Sequence, residues 1–563
     1  MNALVPLALP AVEPLIDANW LDYTFVAIYF AFVLGIGVMA RRSVSDSIDF
    51  FLSGRSLPAW VTGLAFISAN LGAIELIGMT ANGAQYGLPT VHYYWIGAIP
   101  AMVFLGIVMM PFYYGSKARS VPEFLQKRFN HTTQRVNAVT FALSSVLIAG
   151  VNLFALGLVM EALLGWSLAV AIPVAALVVL SYTFLGGLSA AIYNEVLQFF
   201  VILALLVPLT VGGLARVGGW TGLQEKIIAA GNEAELHAWP GTPLTGIDNP
   251  FWSVVGIVFG LGFVLSFGYW TTNFAEVQRA LSAKDMSAAR RTPIIGAYPK
   301  ALIPLVIVVP GMIAAVLVPA LTAAKAGQPS DVTYNNALSL LMNEVLPNGV
   351  LGVALAGLLA AFMAGMAANV SSLNTVFTYD IWQDWLHPGK DDRYYLQVGR
   401  AVTVIGCVLA IGTAAIAGSY SNLMDYIQSL FSFFNAPLFA IFILGLFWKR
   451  MTGTAGWTGL VSGTIAAVII DVLVRTGVLD LSSQAGSFVG ASAAFIVGVI
   501  VAFIVSLVTQ PKPDSELVGL TWSLTSKEDR SHGPDGAATS VLTNPVALGA
   551  GVILLTIILY IVV

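Results

Sequence analysis

The chain has 563 residues, 58% hydrophobic and 10% charged, with a formal net charge of −4 and a mean hydropathy of +0.85. Such a composition excludes a string of soluble domains and describes a polytopic membrane protein whose first partner is the lipid bilayer. The small, dispersed charge excludes a nucleic-acid-binding stripe, and the single cysteine, Cys407 in an apolar run, excludes a disulfide framework or a thiol metal cluster.

The first predicted element covers residues 21–40. Glu13 and Asp17 precede it and Arg41 and Arg42 follow it, so it reads as a peripheral spanning helix rather than a cleaved signal. The next stretch, residues 64–87 (LAFISANLGAIELIGMTANGAQYG), is apolar but interrupted near mid-membrane depth by Asn70, Gly72 and Glu75. Backbone groups freed in lipid are costly, so the break predicts one wall of a protected solute cavity; a glycine-softened helix with a buried asparagine is the alternative. Apolar runs of about 20 residues recur near 60–84, 89–113, 134–164, 167–186, 190–213, 250–272, 293–319, 349–378, 396–417, 421–447, 455–475, 487–508 and 543–562. With the first they make about fourteen transmembrane helices. Residues 217–248 and 320–348 read as external segments able to serve as lids, 509–542 as a polar cytoplasmic loop, and 120–129 as a short interfacial helix with Pro122 in its first turn.

Lysine and arginine orient the spans. With the N-terminus outside, basic loop residues from Arg41 to Arg530 fall inside, and only Arg216, Lys226, Lys325 and Arg475 fall outside. Both termini are therefore expected to be extracytoplasmic, in a plasma (inner) membrane.

Polar groups inside spans are functional candidates because lipid penalises them. Asn70, Glu75, Lys300, Gln428 and the Tyr269–Trp270 pair all lie at roughly mid-span depth. Hydroxyls need donors and acceptors, and a ring's C–H face rests on an indole or phenol, so this set suits a polyhydroxylated solute. The alternative is that Lys300 and Glu75 only neutralise each other while Gln428 bonds a carbonyl. His92, His131, His237, His387 and His532 have no metal-ligand spacing, and no phosphate-cradling glycine loop occurs, so neither a metal cofactor nor ATP-driven transport is expected.

Several strings then carry a resemblance: SANLGAIELIGM at 68–79, SVPEFLQKRF at 120–129, YTFLGGLSA at 182–190, YWTTNFAEVQRALSAK at 269–284, FTYDIW at 377–382, DYIQS at 425–429 and LGLFWKRMTGTAG at 444–456. In this order and spacing they resemble the sodium/solute symporter family, in its sodium/glucose cotransporter branch. The resemblance implies an all-α leucine-transporter-type fold with a core of two inverted five-helix repeats. Here the repeats are 60–213 and 250–447, with 21–40 and 455–563 peripheral. The segment opening the second half, 252–272, is indeed broken by Gly256, Gly260, Gly262 and Gly268.

The resemblance also assigns roles. Asn70, Lys300 and Gln428 match sugar-contacting positions, Tyr269 matches the aromatic shielding the sugar from the cytoplasm, and Met79 and Tyr93 match outer-gate positions. Two departures touch the solute: Tyr94 stands where sugar-carrying relatives have a glutamate, and Glu75 where they have Gln or His. A carboxylate has crossed the site, and a hexose, an inositol, an acidic sugar or a smaller solute all stay open.

The family's sodium site takes carbonyls from the broken helix and oxygens from the eighth core helix. Ser68, Leu71 and Ala361 can supply carbonyls, but the paired hydroxyls expected twelve residues before Phe377 are replaced by Ala364 and Gly365. Ser371 and Ser372 lie about 10 Å further along the helix at 1.5 Å per residue. Serine restored at 364 and 365 is expected to confer sodium dependence. Glu195, an acid at the position of an acid, is expected to reach toward the vacant cation site and carry a proton, or else to pair with Arg135 or Arg128. The expectation is thus a secondary active transporter of a sugar or polyol, proton-coupled or uncoupled rather than sodium-driven. A standard sodium-driven sugar symporter and a non-transporting solute sensor are the other readings. No nucleophile with its base suggests an enzyme, and no obligate protein partner is evident.

Overall fold

Apolar length dictates the architecture. The computed structural model describes residues 16–40, 51–72, 74–330, 332–420, 422–531, 540 and 543–562, so Glu13, Arg41, Arg42 and His532 lie outside the described residues. No strand occurs among them. Eleven helices are long and apolar enough to cross a membrane, and the pair Ala59–Asn70 and Ile74–Tyr86, bent by 59°, makes a twelfth span. Two shorter apolar helices, Trp20–Ile36 and Leu168–Ser181, stand where two more of the fourteen spans are expected but fall below that length.

One boundary differs from expectation. Residues 167–186 and 190–213 read as two separate spans, yet helical backbone runs unbroken over Leu168–Val217. Fifty residues of straight helix would reach about 75 Å against a hydrocarbon core of about 30 Å. Leu168–Ser181 and Ala191–Val217 are its two apolar parts, and the glycine and alanine between them do not by themselves interrupt helical hydrogen bonding.

The interruption in the first core span is real. Helix Ala59–Asn70 ends where Leu71 leaves helical geometry (ψ 43°) while its N–H still bonds the carbonyls of Ile67 and Ser68. The chain resumes as a π-helical turn, Ile74–Met79, then as helix Thr80–Tyr86. Gly72 is required there: a Cβ would sit 2.7 Å from Asn152 Oδ1 and 3.2 Å from the Cα of Gly365. The backbone of the break thus lies against helix Val350–Val376, with one side chain of helix His131–Leu164 wedged between them.

Residues assigned to one membrane side by charge meet one another in space. Lys512 donates to the carbonyl of Lys127, and Arg128, 1% exposed, donates to those of Gly445, Trp448 and Met451 at 2.8, 3.1 and 3.1 Å. On the opposite side Lys325 pairs with Glu235 at 2.6 Å and also donates to the Ala84 carbonyl near the end of the broken helix. His92 joins two elements, its ring nitrogens 2.7 Å from the Ala238 carbonyl and the Tyr560 hydroxyl.

The short helix Val121–Arg128 is built as its sequence suggests, with Ser120 accepting from the Glu123 N–H at its N-cap. The same hydroxyl donates to Asp380 at 2.6 Å, and Gln134 donates to the other Asp380 oxygen at 2.9 Å. Asp380 therefore staples three segments, and none of the three residues lines the central cavity. Asp380→Ala is expected to lower the thermal midpoint, as loss of two buried hydrogen bonds at roughly 1–3 kcal/mol each predicts. Solute affinity measured on the surviving folded fraction should be unchanged.

Candidate solute and cation sites

Broken helices bring polar side chains to mid-depth because their freed backbone needs partners there. Asn70 closes the first half of the broken helix and Glu75 lies in the first turn of its π-helical part. Lys300 reaches them from helix Met286–Leu317, donating to Asn70 Oδ1 and to Glu75 Oε1, both at 2.5 Å. Tyr94 donates to the second Glu75 oxygen at 2.6 Å. Tyr94 and Glu75, the two departures that the resemblance singles out, are thus bonded to each other. The Lys300 ammonium also lies 4.8 and 5.2 Å from the ring centres of Tyr94 and Trp270, within cation–π range.

Asn70, Glu75, Met79, Tyr93, Tyr269, Trp270, Lys300 and Gln428 line one cavity, with Met424 and Phe431. Its free space for the centre of a water-sized particle is about 40 Å³. Its polar lining residues expose at most 8% of their surface. Tyr94 contacts the cavity residues without being among those that line it. Gln428 differs from its neighbours. Its amide makes only a 3.9 Å contact to the Met424 sulfur, and its Oε1 is buried without a partner. The pairing of Lys300 with Glu75 foreseen as a purely structural alternative is present, whereas the carbonyl bond foreseen for Gln428 is not.

Tyr269 and Trp270 lie in helix Phe267–Thr272. The Tyr269 hydroxyl accepts from Asn70 at 3.0 Å and donates to Glu276 at 2.7 Å, while its ring lies 4.5 Å from that of Phe431. On the other flank the Tyr93 hydroxyl donates to Gln484, whose amide donates to Asp425 at 2.5 Å. Asn422 donates to Asn82 and Gln85 at 2.9 and 2.8 Å, joining the outer half of the broken helix to the start of helix Leu423–Phe447. Sequence reasoning misses Glu276 and Gln484. Glu276 sits inside a motif that carries the resemblance, at an unremarkable spacing, and Gln484 opens a helix that composition marks only as peripheral.

The residues expected around a cation come together only in part. Ser68, Leu71, Ala361, Ala364 and Gly365 are all buried, and Gly72, next to Leu71, abuts Gly365 and approaches the Ala361 carbonyl. The Ser68 hydroxyl is buried without a partner. Ser372 bonds the Asn369 carbonyl on its own helix at 3.0 Å. Asn152 is the unforeseen member: its Oδ1 stands where a Cβ on either Gly72 or Gly365 would go. Serine at 365 would require the Asn152 amide to move, since a Cβ there would overlap its Oδ1 and lie 3.2 Å from the Gly72 Cα.

Glu195 needs a correction. It does not reach toward the vacant cation site, nor does it pair with Arg135 or Arg128. Arg279 holds it in a two-pronged ion pair, at 2.5 Å to Oε1 and 3.2 Å to Oε2, with both side chains at most 1% exposed. A guanidinium fork matched to a carboxylate fixes it in place and cancels its charge.

The model of the sodium:solute symporter family matches residues 50–463, well over half of the chain. The chain belongs to the sodium:solute symporter family. Among relatives, the sodium/glucose cotransporter of Vibrio parahaemolyticus is 31% identical over 80% of this chain and 85% of its own length. Sodium/glucose cotransporter 1 of Oryctolagus cuniculus is 30% identical over 94% of this chain and 86% of its own. A solved sodium-coupled sialic acid symporter in its substrate-bound outward-open state superposes with a TM-score of 0.72, covering 88% of this chain and 99% of that one at 20% identity, which establishes the shared fold. This symporter-family member is therefore an all-α membrane transporter of the leucine-transporter type, not an enzyme, and its family implies sodium as the co-transported ion.

Proposed function

We propose that this symporter carries a neutral polyhydroxylated solute, a sugar or polyol, by alternating access between the two five-helix repeats. Its coupling is to protons, or absent, rather than tightly to sodium. The observation that carries the solute reading is Gln428, a buried amide lining the cavity with an oxygen no protein group satisfies. Most buried amide oxygens have a partner, and a solute hydroxyl has the donor that this cavity-lining one lacks. The Lys300–Glu75 pair leaves the cavity without net charge, which favours a neutral solute over an acidic sugar. The names of the relatives, sodium/glucose cotransporters, point the same way.

The coupling reading rests on Ala364 and Gly365, which bring no hydroxyl. Asn152 brings one amide oxygen where two hydroxyls are expected. The meeting of basic residues on one side supports an orientation with both termini extracytoplasmic in the plasma (inner) membrane.

Uptake of radiolabelled D-glucose, D-galactose, myo-inositol and an acidic sugar by the purified protein in liposomes tests the function. Saturable uptake of a neutral member is expected; uptake of none, or of the acidic sugar alone, removes this reading. Tyr269→Ala should raise exchange or leak more than it changes equilibrium affinity, as the loss of a gate would. A collapse of affinity with exchange unaltered would assign Tyr269 to solute binding instead.

A further inference from the structure

The inner flank of the solute cavity holds a second polar chamber that the transport reading does not use. Glu276, from helix Phe274–Leu281, faces it together with Asn152, Asn273, Asn369, Gly72 and Gly365. The carboxylate is 2% exposed. One oxygen accepts from the Tyr269 hydroxyl, and the other, Oε2, has no partner.

The charged and titratable groups around it are all engaged elsewhere. Arg279, one turn along the same helix, is held by Glu195 from the Leu168–Val217 helix. Lys300 is held by Glu75 and Asn70, and Tyr269 accepts from Asn70. From helices His131–Leu164 and Val350–Val376 only the neutral amides of Asn152 and Asn369 face the chamber. An ionised carboxylate buried without a cation is strongly disfavoured; it takes up a proton or gains a counter-ion. The chamber's free space for the centre of a water-sized particle is about 10 Å³. That is room for about one water, enough to deliver a proton, and a metal cation would have to enter stripped of its hydration shell.

The chamber is wired to the solute site by hydrogen bonds that all run one way. Lys300 donates to Asn70 at 2.5 Å, Asn70 to Tyr269 at 3.0 Å, and Tyr269 to Glu276 at 2.7 Å. Charge on Glu276 strengthens this chain and so favours Tyr269 closed against Asn70. Protonation at Oε2 weakens it and frees the gate. We propose that Glu276, rather than Glu195, is the proton-binding site of this protein, and that its protonation releases the Tyr269 gate. The proposal deepens the transport reading and rests on it for the role of the gate, but proton binding itself can be measured without any solute.

Infrared difference spectra between acid and alkaline pH, recorded on the full chain in liposomes without solute, provide the test. The unmodified protein is expected to show the carbonyl stretch of a protonated carboxylic acid. Glu276→Gln should lose that band, Glu195→Gln should keep it, and Glu276→Asp, which retains the acid but shortens its reach to Tyr269, should shift it. Replacing choline chloride by sodium chloride should leave the band in place. Persistence of the band unchanged in both Glu276 variants overturns the site. Its removal by sodium at fixed pH would show that the chamber takes that ion instead of a proton and would also overturn the proposal. Absence of solute uptake alongside a Glu276-dependent band would count against the transport reading alone.

Discussion

Lys300→Met should abolish measurable solute binding and lower thermal stability at once, whereas Lys300→Met combined with Glu75→Gln should recover stability without recovering binding. The single variant removes the cation from Glu75, whose two oxygens are met only by Lys300 and Tyr94. Breaking one half of a buried ion pair typically costs about 3–5 kcal/mol, because an uncompensated charge is left behind. The double variant removes both charges at nearly constant volume, so the lost stability is largely returned. Binding has no such symmetry: a solute hydroxyl that accepts from the ammonium finds no donor in methionine. Gln428→Ala gives the milder companion effect, roughly 1–3 kcal/mol or about 5- to 150-fold in affinity, with little change in stability because its Oε1 has no protein partner to lose. Thermal midpoints and solute affinities measured on the same samples decide the matter. Recovery of affinity in the double variant would reduce the Lys300–Glu75 pair to scaffolding.

The second large effect concerns the driving ion. In liposomes carrying a sodium gradient, a proton gradient or neither, the unmodified protein should accumulate solute under the proton gradient or merely equilibrate it, with sodium alone giving little accumulation. Sodium needs about six hard oxygens, and Ala364 and Gly365 remove two of them. Adding serines at both positions should fail to confer sodium dependence, because a Cβ at Gly365 would already meet the Asn152 amide and the Gly72 backbone. The triple variant Asn152→Ala, Ala364→Ser, Gly365→Ser opens that space and should make accumulation respond to sodium. Steep sodium-driven accumulation by the unmodified chain would defeat this argument, since Asn152 Oδ1 and backbone carbonyls would then suffice as ligands.

How much of the molecule is readable beforehand follows from which physical signals are local. The long apolar spans and the break after Asn70 follow from sequence because hydrocarbon thickness and the cost of unpaired backbone act on contiguous residues. Apolar runs announce every long helix, but the junction near 187–190 does not show whether helical hydrogen bonding continues through it. The cavity residues Asn70, Glu75, Lys300 and Gln428 are legible as polar groups that lipid does not tolerate unpaired. Which of them pair is not legible, since Lys300 bonds Glu75 across 225 positions while Gln428 is left open to a ligand.

Asn152 and Glu195 show where sequence reasoning stops. Read along the chain, Gly365 is a lost hydroxyl; in space it is the point where two backbones close upon the Asn152 amide, contributed by a third helix. Glu195 reads as a lone acid near a vacant site because its partner, Arg279, lies 84 positions away. The chain alone determined membrane residence, the long apolar helices and several of the buried polar groups, because each depends on the transfer of a residue from water to lipid. The tertiary structure alone decided which charges are cancelled, as Glu195 is by Arg279, and which carboxylate, like Glu276, keeps an oxygen without a protein partner, because a charge inside a membrane protein is set by the few ångströms to its neighbours.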